Sequence, residues 1–123
     1  MIQLSRHVPA EESIRSLLSV AYLESLYVFT NRRAFAPDLY ERLAQVLSRL
    51  TEFTPDSQER QFLQQVVLNP KQFPGALRLA ALLTLGDHPE LLTPKFWGQL
   101  ETLQLKEKNP TLRAAVKDIL GRR

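Results

Sequence analysis

Residues 14–29, IRSLLSVAYLESLYVF, decide the fold class. Only Arg15 and Glu24 carry charge in the stretch. Projected at 100° per residue, Ile14, Leu17, Leu18, Ala21, Val28 and Phe29 form one apolar stripe close to the i, i+3, i+4, i+7 pattern. That stripe is assigned to the core. A second apolar stripe lies roughly opposite, with Val20, Leu23 and Tyr27 flanked by Ser16 and Ser19. A helix apolar on both sides is covered on both sides. Two readings follow. Either the helix is the inner member of a bundle, or its second face meets a partner. On the second reading Val20, Leu23 and Tyr27 are contact residues, and Glu24 is a charge on their rim.

The chain outside this stretch reads as further short helices, each with start and stop signals. Residues 1–9 read as an extended N-terminal arm. Pro9 followed by Glu11 and Glu12 opens the first helix, because acidic side chains suit the positive end of the dipole. Pro37-Asp38 opens a second helix with an apolar stripe of Leu39, Tyr40, Leu43, Val46, Leu47 and Leu50. Thr54-Pro55 reads as a cap with proline at the first helical position, and a third helix follows with Phe62, Leu63, Val66 and Val67. Pro74-Gly75 opens a fourth, ALRLAALLTL over 76–85, apolar nearly all round with Arg78 its one charge; Gly86-Asp87 reads as its C-cap. Thr93-Pro94 and Asn109-Pro110 open the fifth and sixth helices, and residues 121–123 form a basic tail. No segment alternates with period two. The expectation is one all-α domain over 1–123, a compact right-handed bundle or superhelix of about six short helices.

A chain of 123 residues with 44% hydrophobic and 24% charged residues can bury a core without covalent staples. It has no cysteine, which excludes disulfides and thiolate-bound zinc and fits a cytoplasmic location. The N-terminus lacks a signal-peptide pattern. Residues 14–29 are too short and too polar for a bilayer span of ~20 apolar residues.

An internal similarity adds direction. Residues 35–43, FAPDLYERL, and 92–100, LTPKFWGQL, share a proline, two large apolar residues and a leucine at an offset of 57. Each copy follows an unusually apolar helix, so the chain reads as two three-helix repeats with the first and fourth helices equivalent and innermost. This pattern resembles the armadillo and HEAT class of helical repeats. The resemblance implies a stacked binding scaffold rather than an enzyme. A plain six-helix bundle, in which proline recurs because helices generally begin that way, remains the alternative.

Candidate chemistry is sparse. His7 and His88 sit outside the helices, and Asp87, His88 and Glu90 lack the i, i+4 spacing of a helical metal site. The glycines at 75, 86, 98 and 121 are isolated, which excludes a phosphate-binding loop. No catalytic residues, metal or cofactor are expected. Arg32, Arg33, Lys106 and Lys108 lie in predicted loops and are candidates for phosphate contacts, although no helix carries a basic recognition face. The expected function is a non-enzymatic protein–protein interaction module, an adaptor or assembly subunit. Its partner is another protein or a second copy of itself. The alternative is a nucleic-acid-associated subunit that holds backbone phosphates through its basic loops.

Overall fold

Proline, aspartate, threonine and asparagine at the helix starts set the boundaries seen in the computed structural model. It describes residues 11–31, 37–49 and 53–123, with 27–31 and 37 described by their backbone alone. The N-terminal arm, Arg32, Arg33, Phe35 and Leu50 lie outside the described residues, as do the side chains of Tyr27, Val28 and Phe29. The helices are α1 (Glu11–Asn31), α2 (Pro37–Arg49), α3 (Ser57–Leu68), α4 (Gly75–Gly86), α5 (Pro94–Lys106) and α6 (Pro110–Leu120). A 3-10 turn at Pro89–Leu91 joins α4 to α5. Among the described residues there is no strand, as an all-α fold requires.

Thr93 and Asn109 cap α5 and α6 as expected, each with proline at the first helical position. The start of α3 differs from expectation. Asp56, not Thr54, is the cap. Its carboxylate accepts the Glu59 N–H at 2.8 Å, and the Glu59 carboxylate accepts the Asp56 N–H at 2.7 Å. Two orphan donors are thus satisfied by charged acceptors, which a threonine hydroxyl cannot match. Pro55 then lies before the helix and is buried.

Three helical hairpins, α1–α2, α3–α4 and α5–α6, stack so that α2, α4 and α6 lie side by side, and α3 touches α5. This grouping divides the chain differently from two three-helix units. A second regularity accompanies it. Leu77, Arg78, Ala80, Leu85 and Gly86 of α4 recur as Leu112, Arg113, Ala115 and Leu120 of α6 and its C-cap Gly121, an offset of 35. Both arginines fork onto a main-chain carbonyl. Arg78 donates to Val67 O at 3.0 and 2.8 Å, and Arg113 donates to Glu107 O at 3.0 and 2.8 Å.

Helix α4 is the centre of the molecule. Leu77, Ala80, Ala81, Leu82 and Leu85 are buried, and so are Arg78, Thr84 and Gly86. The aromatic residues knit α1, α2 and α3 together edge to face: Tyr22–Phe62 at 5.6 Å, Phe62–Phe73 at 6.0 Å and Phe73–Tyr40 at 5.3 Å. Gly86 has a role beyond ending its helix. A Cβ there would stand 2.7 Å from Ile119 Cδ1 and 2.8 Å from Cγ1, so its bareness lets α4 and α6 approach. A Cβ on Gly98, by contrast, would meet nothing within 4 Å.

The expectation that α1 and α4 are both innermost holds for α4 alone. Helix α1 flanks the array. It packs on α2 and touches the start of α3 through Arg15 and Tyr22. The His88 loop also differs from a solvated one. Its ring is half-buried, and Nε2 lies 3.1 Å from the Phe53 carbonyl.

Candidate interaction surface

The two faces of α1 are set by its apolar spacing. Ile14, Leu18, Ala21 and Ser25, at i, i+4, i+7 and i+11, are buried. Leu17 and Tyr22 are half-buried against that core. The small hydroxyl of Ser25 fits there because it donates to Tyr22 O within its own helix at 2.8 Å. The opposite face is open. Val20 is 51% exposed and Leu23 63% exposed, with Leu26 beside them at 46%. Ser16 and Ser19 share this surface. Three large aliphatic side chains within two turns make a contiguous apolar patch, whereas exposed apolar residues are ordinarily scattered.

A groove of about 280 Å³ runs beside the patch between α1 and the first turns of α3. Leu18, Leu23, Tyr22 and Phe62 give it an apolar floor, and Asp56, Gln58 and Glu59 form its polar wall. Arg15 anchors that wall. Its guanidinium pairs with Glu59, lies 3.5 Å from Asp56 and 3.4 Å from Glu11, and donates to Thr54 O at 3.0 Å. It also sits 5.1 Å from the centre of the Phe53 ring. Burial works against its charge, but the hydrogen bond and charge of Glu59, with Glu11 adding, hold its pKa above the ordinary arginine value. The groove wall is therefore fixed to α1.

The predicted contact residues divide. Val20 and Leu23 stand together on the exposed face. Glu24 is half-buried and turns toward α2. Burial first, and the Glu24 charge second, push the Tyr40 hydroxyl up to about 12. Glu24 thus belongs to the α1–α2 seam as much as to a rim. Leu26 was missed in the sequence because it falls between the two stripes, one helical turn from Leu23 and nearer Tyr22 in projection. Lys106 and Lys108 are exposed where α5 turns into α6, while Arg32 and Arg33 lie outside the described residues.

The far end of the array contrasts with α1. Helix α6 exposes Arg113, Ala114, Lys117 and Asp118, and Arg122 follows, pairing with Asp118 at 2.8 Å. Where α4 carries the buried Leu82 and the apolar Leu83, the corresponding positions of α6 are Lys117 and Asp118. Polar outer faces of this kind close the ends of stacked helical arrays. The outer face of α6 is charged, whereas α1 leaves Val20, Leu23 and Leu26 open; Leu105, 86% exposed, lies in the last turn of α5 beside that charged helix.

Among the described residues no three His, Asp or Glu side chains gather as a metal site, and no helix is long and apolar enough to cross a membrane. No family model, curated protein or solved structure matches the chain.

Proposed function

We propose that this chain is a non-enzymatic helical module that binds protein through the outer face of α1. The observation that carries the reading is the exposure of Val20, Leu23 and Leu26 on a helix whose other face is core. The charged face of α6 supports it, because the same array covers its opposite end with lysine, arginine and aspartate. Buried aliphatic and aromatic anchors dominate the energetics of protein interfaces.

The test is Leu23→Glu. A side chain 63% exposed contributes little to the fold, so the variant keeps the wild-type thermal midpoint and loses partner protein that co-purifies with the wild type. Unchanged partner binding would exclude the face, and an unfolded variant would make Leu23 a core residue.

A second reading has its own support. Lys95, Lys106, Lys108 and Lys117, four of the five lysines, are exposed on α5, α6 and their connection. None is paired with a carboxylate among the described residues. Lys95 and Lys106 border one shallow groove with Gln99 and Thr102. Binding to RNA or DNA that weakens steeply with salt supports this surface; absence of binding at low salt excludes it.

A further inference from the structure

We infer that the groove between the end of α3 and α5 is a separate docking site, and that its occupant is an acidic amphipathic helix of another protein. The inference is independent of the α1 face, and it gives the lysines of α5 carboxylates rather than phosphates as partners. The groove has a volume of about 450 Å³. Leu68 and Leu103, both half-buried against the core, form its apolar floor. Lys95 and Lys106 border it from the first and last turns of α5. Three helical turns, about 16 Å, separate the two lysines, which therefore lie on one side of the helix.

The charges of this surface leave the lysines for another molecule. From Pro94 to Arg123 the chain has three carboxylate side chains, and an arginine holds each of them. Glu107 is paired with Arg78 at 2.7 Å, Asp118 with Arg122 at 2.8 Å and Glu101 with Arg123 at 2.7 Å. Lys95 and Lys106, both exposed, stand in no ion pair among the described residues. The counter-charge that fits them lies outside the chain. The chain's own formal charge of +3 favours a net-acidic partner over a second copy.

The middle of the groove is shaped for close approach. Gly98 lines it between the lysines. A glycine inside a helix weakens it relative to alanine and ordinarily answers to close packing. Here a Cβ would meet nothing within 4 Å, so no neighbour in the described fold requires the bare position. Another backbone can approach α5 there. Thr102, one turn on, donates its hydroxyl to Gly98 O at 3.3 Å and brings no unmet donor to the groove. Leu105, two turns beyond Gly98 on the same side of α5, is exposed and adds an aliphatic anchor.

These features run along one side of a helix, which matches a second helix laid beside it. An extended peptide has no strand edge to join among the described residues. A phosphate backbone, with a charge every ~3.4 Å of axis in each strand, would set charges over Leu68 and Leu103. No aromatic side chain lines the groove to stack a base.

Selection from a displayed library of helical peptides, with the full chain as bait, tests the inference. Enriched sequences are expected to carry Asp or Glu three turns apart with aliphatic residues between them. A selected peptide, synthesised with a label and titrated by fluorescence anisotropy, is expected to bind about tenfold more weakly to Lys95→Glu and to Lys106→Glu. Lysine in place of the matching peptide acid restores binding to the reversed variant. Gly98→Leu keeps or raises the thermal midpoint yet weakens the peptide at least about tenfold, because the added side chain fills the approach. Leu23→Glu leaves the peptide unaffected, so the two surfaces are distinguished. A selection that yields no peptide, or peptides without the acidic pair, overturns the inference. So does binding that ignores both lysine reversals, or that Gly98→Leu does not weaken. RNA or DNA of about 20 nucleotides, held through Lys95 and Lys106 more tightly than the peptide at about 150 mM salt, assigns the groove to a phosphate backbone instead. Self-association abolished by the same lysine reversals assigns it to a second copy, and either result overturns the acidic helix.

Discussion

Replacing Arg78 by methionine is the most demanding test of this fold. The guanidinium is 3% exposed and the Glu107 carboxylate 7%. Nε and Nη2 donate to Val67 O in the last turn of α3, while Nη1 and Nη2 reach the two carboxylate oxygens at 3.3 and 2.7 Å. Glu107 in turn accepts the Asn109 N–H at 3.2 Å, beside the cap of α6. One side chain thus ties α3, α4 and the α5–α6 connection. Methionine fills much of the volume but leaves a buried carboxylate with one main-chain donor and strips Val67 O of two. Breaking a buried pair from one side costs about 3–5 kcal/mol, a large share of the ~5–15 kcal/mol available to a domain. At about 2.1 cal/mol/K of unfolding entropy per residue, a loss near 4 kcal/mol lowers the midpoint of this 123-residue chain by about 15 °C. Calorimetry or a urea titration measures it. Arg78→Met/Glu107→Met recovers part of the loss, since neither charge is then stranded. A cost below about 1 kcal/mol for Arg78→Met would refute the argument. The pair also predicts a pH window. The hydrogen bond from Arg78 holds the Glu107 carboxyl below its ordinary value despite the opposing effect of burial. Its stabilisation is therefore complete above the unfolded carboxyl pKa of about 4.3 and is lost as pH falls through the lower folded value. The wild-type advantage over Glu107→Gln stays level above about pH 5 and shrinks below it.

Other positions give independent checks. Gly86→Ala pushes a methyl into Ile119 and lowers stability by about 1–3 kcal/mol; Gly86→Ala/Ile119→Val recovers part of that in a denaturant titration, because Cδ1 is removed. Gly98→Ala adds a methyl into open space on an exposed helix and raises stability by about 0.5–1 kcal/mol; a destabilised variant would mean that the α5 surface is covered. Tyr40, with its folded pKa raised above the unfolded 10, contributes stability that is present below pH 10 and lost as pH rises toward about 12. A spectrophotometric titration of the folded chain shows this late step, and Tyr40→Phe removes it. Glu24→Gln brings the step to lower pH, by less than the effect of burial.

Helix number, type and most boundaries were legible because they are local. Thr93-Pro94 and Asn109-Pro110 mark helix starts without reference to anything distant, and the stripes of α2 and α6 follow from 3.6-residue periodicity. The α3 start was misread where two capping residues stand close together, and the reciprocal bonds of Asp56 and Glu59 decided between them. What could not be read was long-range. Arg78 looked like a lone charge in an apolar helix, and Glu107 like part of a charged loop; 29 residues separate them in sequence. The correspondence of α4 with α6 at an offset of 35 stands in the sequence beside the proline-aromatic match at 57, and only the packing of α4 against α6 distinguishes the two. Of the candidate contact residues, Val20 and Leu23 were legible from the wheel. Glu24 was not, since its surroundings depend on Tyr40 of α2.

Helices α1 and α4 show that apolar periodicity alone does not decide burial. Both are apolar around most of their circumference. Helix α4 has α2, α3 and α6 against it, and Leu77, Ala80, Ala81, Leu82 and Leu85 are buried, with Leu83 left exposed. Helix α1 has α2, the opening turns of α3 and Gln72 of the α3–α4 connection against its inner face, and Val20, Leu23 and Leu26 are left about half exposed or more. The chain solves the same geometric problem at its other end with Lys117, Asp118 and Arg122, and exposed positions accept such residues at little cost in stability. The inner stripe of α1 therefore does not depend on aliphatic side chains at 20, 23 and 26, which are about half exposed or more. A helix with serine or lysine there would keep the same inner stripe of Ile14, Leu18 and Ala21. What the aliphatic set offers is apolar area left to water, about 25 cal/mol for each Å² that a second surface would cover; among the described residues Leu105 at the end of α5 and Leu83 of α4 are the other large aliphatic side chains left exposed.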